Sequence, residues 1–267
     1  MTLSLARPRN LPNLARLWTD APAFTATALM ATFGLIPLYA AMAIDSRLFQ
    51  GEQVWIKPVK FHVALAIYLI SLAFFARFMP AHTRNGRPWR RFSYAVAFAV
   101  LAEMVWIGGA ASVNTASHFN MDLPFMTVIY GVMGAFAVLL TSASLVMGLS
   151  IWRNPASGLA PALHLSVALG LTLTFVLTVG VAGYMSGNNG HFVGTSTRGL
   201  GVMGWSRDAG DLRVAHFLAT HALHAIPLAG LFASRSVVWA SATAYVALVL
   251  ATFVQALQGQ PFLPWLG

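Results

Sequence analysis

The chain contains no cysteine. That excludes disulfides, iron–sulfur clusters, thiolate metal sites and cysteine nucleophiles. Charge is nearly as scarce. Only 9% of the 267 residues are charged, and seven of those are acidic, whereas a soluble domain carries about a quarter charged residues. No strand-like alternation, internal repeat or low-complexity tract is present. H-E-x-x-H is missing too, which disfavours a zincin-like protease. A single core glutamate, Glu103, is too few for a ferritin-like di-iron site.

What remains is apolar. Hydrophobic residues make up 58% of the chain and the mean hydropathy is +0.70, so lipid is the expected solvent and the fold class is an all-α polytopic membrane helix bundle. Seven segments are long enough to cross about 30 Å of hydrocarbon at about 1.5 Å per residue. They run over 21–43, 59–79, 91–113, 123–151, 160–184, 211–233 and 236–257. Pro58 suits the first turn of the second. Asp122 can cap the fourth with Pro124 just inside it, and Asp211 can cap the sixth. Residues 1–20, with Arg7, Arg9 and Arg16, form a basic arm. Ala41-Met42-Ala43 resembles a signal-peptide cleavage site. The apolar run before it exceeds the about 7–15 residues of a signal core, so it reads as the first span. Residues 258–267 form a tail.

The formal charge of +9 does not imply nucleic acid, because the arginines cluster at segment ends as topology signals do. The connection holding Arg77, Arg84, Arg87, Arg90 and Arg91 lacks acids. Placing it in the cytoplasm leaves ten basic residues inside and six outside. The positive-inside rule then predicts a cytoplasmic N-terminus and an external C-terminus. Five of the seven acids lie outside, and so does the long polar loop 185–210. Helix contacts are expected at Gly108, Gly109, Gly131, Gly134, Gly180 and Gly183, because small residues let backbones approach in lipid.

Ionisable residues within spans mark functional sites by default. Glu103 lies near the bilayer centre of the third span. His216, His221 and His224 descend the sixth, with His221 and His224 about 60° apart around the helix and about 4.5 Å apart along it. Pro227 predicts a kink beside His224. His221, His224 and Glu103, with His216 above them, form a candidate catalytic or metal site for zinc or non-haem iron. His62 opposite His216 permits a haem b. His62, His118 and His216 form the shallower cofactor-binding set. The alternative is a hydrogen-bonded polar seam between helices.

Lys57 and Lys60 read first as headgroup anchors and second as substrate-binding groups. The loop also carries Asn188, Asn189, His191, Arg198, Arg207 and Asp208. Its length exceeds that of a plain connection. Glycines in it imply either close packing over the bundle mouth or a mobile lid. Arg213 can bind an anion or lipid phosphate, or pair with Asp208 or Asp211; Asp211 reads as a cap before a catalytic acid.

Three motifs then stand together: Ser117-His118-Phe119-Asn120; Trp55-Ile56-Lys57-Pro58 with Lys60-Phe61; and Gly204-Trp205-Ser206 followed by Gly210-Asp211-Leu212-Arg213 and His216-Phe217. They resemble a family of uncharacterised bacterial polytopic membrane proteins, over about residues 50 to 230. The resemblance implies a bacterial inner-membrane protein with these external motifs as its site, and it carries no catalytic roles. Three functions fit the residues: a metal or haem protein, redox-active toward quinone or another lipid-soluble substrate; a proton-coupled transporter; and a non-catalytic sensor or assembly factor.

Overall fold

A computed structural model describes residues 15–121, 123–200 and 203–266. Ten helices and three two-stranded ribbons are found among them. Helix α1 (Ala15–Asp20) leads into α2 (Pro22–Ile44), then α3 (Ile56–Ala76), a single turn α4 (Ala81–Arg84), α5 (Arg87–Ser112), α6 (Pro124–Trp152) and α7 (Pro161–Gly187). The pair α8 (Leu212–Thr220) and α9 (Ala222–Phe232) precedes α10 (Arg235–Leu257). Six helices are long and apolar enough to cross a membrane, and the bent pair α8–α9 makes a seventh crossing if it is one span. The protein is an all-α, multi-pass membrane bundle.

Several helix starts follow from proline. Pro22, Pro124 and Pro161 open α2, α6 and α7, where a missing N–H costs nothing and φ is already helical. Pro58 sits in the first turn of α3. Asp122 lies outside the described residues, as does the arm before Ala15, with Arg7 and Arg9. α3 and α5 begin three or four residues before the apolar runs do. Trp55 and Gly86 precede them, and polar residues such as Lys57, Arg87 and Arg90 continue the helical backbone into the interface.

Large apolar side chains such as Phe33, Phe98, Val105 and Phe232 are exposed, as a lipid-facing surface requires. The interior is built on α7 and α5, the most buried spans, while α2 and α10 are the least. Phe24, Leu69, Leu72, Val96, Val100, Met147, Ile151 and Leu171 are buried together across α2, α3, α5, α6 and α7. A second cluster joins α7, α9 and α10 through Leu165, Ile226 and Val238.

In lipid, apolar burial between helices gives little drive, so close backbone approach matters more. The glycines that provide it are not the expected ones. A Cβ at Gly108, Gly109, Gly131, Gly134, Gly180 or Gly183 would meet nothing within 4 Å. Instead Gly170 lies against Pro227 and the Ala222 carbonyl, and Gly230 against Ser166 and the Leu163 backbone, so α7 and α9 touch almost directly. Gly148 meets Thr172, and Gly34 meets the ring of His62. Spacing along the chain cannot say which face of an all-apolar helix meets a partner.

The kink in the sixth span is also displaced. The chain bends by 49° between α8 and α9, at His221 and not at Pro227. Leu223 N–H, in the first turn of α9 where no intrahelical acceptor exists, donates to Thr174 Oγ1 on α7 at 2.8 Å. The last carbonyls of α8 are covered as well: Leu218 O accepts from Tyr245 Oη at 2.7 Å, and Phe217 O from Thr220 Oγ1 at 2.9 Å. A partner helix therefore sets the break.

Candidate functional site

The ribbons β1 (Leu48–Phe49), β2 (Glu52–Gln53), β3 (Phe192–Val193), β4 (Gly199–Leu200), β5 (Trp205–Ser206) and β6 (Gly210–Asp211) all lie at one end of the bundle. β1 pairs with β2, β3 with β6 and β4 with β5, each antiparallel. These short ribbons were not legible as alternation, because two residues make no period. At its C-terminal end the loop is closely packed. A Cβ on Gly210 would overlap the Ala256 carbonyl of α10, so the loop sits on that helix without a gap.

Asp211 anchors this end. It is 2% exposed. One carboxylate oxygen caps α8 by accepting from Arg213 N–H at 3.0 Å, and the other accepts from Ser206 N–H at 2.8 Å. The Arg213 guanidinium closes a two-pronged pair on the same carboxylate, at 2.9 Å from Nε and 2.7 Å from Nη2. It also donates to Gly204 O and lies 4.8 Å over the Phe192 ring. Arg213 thus pairs with Asp211 rather than Asp208. Asp208 accepts from Thr197 and Ser206, and the Thr197 hydroxyl chiefly holds its carboxyl below the usual carboxylate range. Lys60 is tied as well, to Glu52 at 3.7 Å and Met203 O at 3.4 Å.

Ser117-His118-Phe119-Asn120 turns back into the bundle mouth. Phe119 takes φ 57°, a left-handed conformation. Asn120 Nδ2 donates to Ala116 O at 3.1 Å, and Trp106 Nε1 donates to Ser117 O at 2.6 Å. Ser117 Oγ meets His118 Nδ1 at 3.1 Å. The ring is thereby aimed at α5, with Nε2 3.7 Å from Glu103 Oε2. Burial pushes the His118 imidazole down to about 3, and the charge of Lys57 adds to the effect. At neutral pH the contact is therefore a neutral imidazole beside a carboxyl group, longer than a hydrogen bond and within reach of one bridging water. His191 is likewise pushed down, to about 4, by burial first and then by Arg213.

Glu103 is 3% exposed, and neither carboxyl oxygen has a hydrogen-bond partner among the described residues. Lys57, in the first turn of α3, is close enough to interact electrostatically with Glu103, His118, His191 and Arg213. Around them stand Phe61, 5.8 Å from the His118 ring, and Tyr130, 6.4 Å from it. Tyr130 was not foreseen. Nothing in an apolar run marks which tyrosine faces inward.

The deeper histidines make different partnerships. His221 stacks on Phe217 at 4.0 Å and its Nδ1 donates to Phe217 O at 2.8 Å. His224 lies 5.3 Å from the His221 ring, and its Nε2 meets Ser71 Oγ at 2.9 Å. Ser71 spends its own proton on Ile67 O, so His224 Nε2 is the donor and its Nδ1 carries a lone pair. That Nδ1 and the buried His216 Nδ1 have no partner among the described residues. His62 Nδ1 bonds Pro58 O at 2.9 Å, and its other edge packs on Gly34 of α2.

These positions bear on metal and haem. Among the described residues no three His, Asp or Glu side chains gather where they could hold a metal ion. The proposed set of His216, His221, His224 and Glu103 is thus not assembled. Glu103 meets His118, from the loop. His62 packs its Nε2 edge toward α2, so it does not present itself as an axial partner for His216. The described residues as they stand assemble no site for a metal ion. No family model, curated protein or solved structure matches the chain.

Proposed function

We propose that the protein is a proton-coupled transporter of a bacterial inner membrane, with a cytoplasmic N-terminus and its loop-rich end outside. Glu103, His118 and Lys57 form its outward-facing proton site. The observation that carries this reading is Glu103, a carboxyl group buried in a span with no hydrogen-bond donor satisfying it among the described residues. An intramembrane carboxyl of this kind is costly and marks a proton or ion path. His118 places a neutral imidazole nitrogen 3.7 Å from that carboxyl group. Lys57 supplies the charge that the site must balance. The break at His221 gives the sixth span two segments, a feature shared by transporters whose sites lie near mid-membrane. The motifs behind the family resemblance line this same end.

Reconstitution tests the proposal. In vesicles carrying an internal pH dye, addition of the transported solute class should acidify or alkalinise the lumen with wild-type protein. Glu103→Gln should abolish the signal. Wild-type vesicles that stay silent across anionic, cationic and neutral solutes, with Glu103→Gln cells behaving as wild type, would refute it. Stoichiometric metal or a Soret band in purified protein would return the redox reading instead.

A further inference from the structure

The opposite end of the bundle holds an open pocket of about 480 Å³. It lies where the C-terminus of α3, the turn α4 and the α6–α7 connection meet, and its lining includes Arg77, His82, Arg84 and Arg153 with no acidic side chain. Arg77 is held in place by its Nε donating to Phe74 O at 2.9 Å and by the Phe74 ring, 4.3 Å from the guanidinium carbon. Arg84 Nη1 donates to Arg77 O at 3.1 Å and faces Asp20 at 3.4 Å. Asn154 fixes the other wall by donating to Phe78 O at 2.8 Å.

These arginines do more than mark a segment end. Arg77 Nη2 and Arg84 Nε are buried and have no acceptor among the described residues. A buried guanidinium N–H without an acceptor is a costly unsatisfied donor. Topology needs only positive charge, which a solvated arginine supplies equally well. Two partly buried, pre-oriented guanidiniums and an exposed third, Arg153, around one cavity suit a phosphate group, whose oxygens take such forks. Asp20 pairs with Arg84 at 3.4 Å and also acts electrostatically on Arg77, but one carboxylate against three guanidiniums leaves the lining cationic.

We infer that this pocket binds a phosphate-bearing anion through Arg77, Arg84 and Arg153, at the depth where a lipid headgroup lies. The site is separate from the Glu103 end and does not depend on the transport reading. The cavity is many times the about 30 Å³ share of one water molecule, so it has room for a glycerophosphate headgroup.

Thermal unfolding in neutral detergent tests this, with phosphatidylglycerol, phosphatidylcholine or inorganic phosphate added in separate arms. Phosphatidylglycerol should raise the midpoint where phosphatidylcholine does not. Protection by inorganic phosphate at millimolar levels would support the same site with a free phosphate as its ligand. Arg153 is exposed and its side chain has no hydrogen-bond or ion-pair partner among the described residues, so Arg153→Glu should fold normally. It should bind phosphatidylglycerol at least about fivefold more weakly, the effect expected per basic residue at a membrane surface. Arg77→Gln serves as the second variant, read by native mass spectrometry of bound lipid in case its midpoint changes. Equal response to both lipids with no effect of phosphate overturns the inference. So does unaltered anion binding in both variants.

Discussion

Thr174→Val isolates the interaction that lets the sixth span break. Thr174 is 1% exposed and sits mid-way along α7. Its hydroxyl donates to Gly170 O at 2.8 Å and accepts from Leu223 N–H at 2.8 Å. Valine has nearly the same shape, so no cavity opens and only the hydrogen bonds are lost. Gly170 O keeps its helical partner. Leu223 N–H has none, because the first-turn donors of α9 have no preceding helical carbonyl in line. A buried N–H left unpaired costs about 1–3 kcal/mol. Interhelical hydrogen bonds in membranes average lower, about 0.6 kcal/mol, because the unfolded chain in lipid also finds partners. Here the N–H left behind lies in the first turn of its helix and has no intrahelical acceptor to turn to, so the upper range applies. The unfolding constant should rise by about fivefold to 150-fold, at about 1.4 kcal/mol per factor of ten. Denaturant titration in mixed micelles reads this directly. Thr174→Ser keeps the acceptor and loses one methyl, about 0.8 kcal/mol at most. If Thr174→Val is as stable as Thr174→Ser, the break is not held by this bond and the account of α8–α9 fails.

The glycines separate by position. Gly108→Ala should be neutral or stabilising by up to about 1 kcal/mol, since nothing lies within 4 Å of its Cβ and alanine favours the helix. Gly170→Ala should cost about 1–3 kcal/mol, because its Cβ would fall 2.9 Å from Pro227 Cδ and 3.0 Å from Ala222 O. Unfolding midpoints of the two variants side by side check the contrast. Acid should also destabilise the loop-rich end. His118 and His191 have folded values of about 3 and about 4 against an ordinary 6.5. Between those values the unfolded chain binds protons that the folded chain refuses, so stability is full above 6.5 and falls as pH drops below it. Melting midpoints should decline from about pH 7 to about pH 5, and His118→Gln should flatten that slope. An unchanged slope would mean that His118 titrates freely.

Much of this protein is legible in local pattern. Seven apolar segments become six helices and one bent pair, because a span in lipid must satisfy its backbone hydrogen bonds within itself. Asp211 was readable as a cap, since a carboxylate before a helical run has a partner only a few residues away, and it does accept from Arg213 N–H. The region from Lys57 and His118 to Arg213 was legible as the polar end of an apolar chain. Its internal pairing was not. Glu103 and the histidines of the sixth span share similar depth, which suggests a common site. In the fold Glu103 instead meets His118, delivered by a loop whose left-handed turn at Phe119 no periodicity announces.

Sequence alone therefore determined the solvent, the helices and the end of the bundle where ionisable groups collect, because length, hydropathy and capping act within a few residues of one another. Tertiary structure alone decided which groups touch. Helices that are apolar nearly all round carry no signal of the face they turn inward. The contacts that fixed their rotation, Gly170 on Pro227, Gly230 on Ser166 and Thr174 on Leu223 N–H, join residues far apart in the chain.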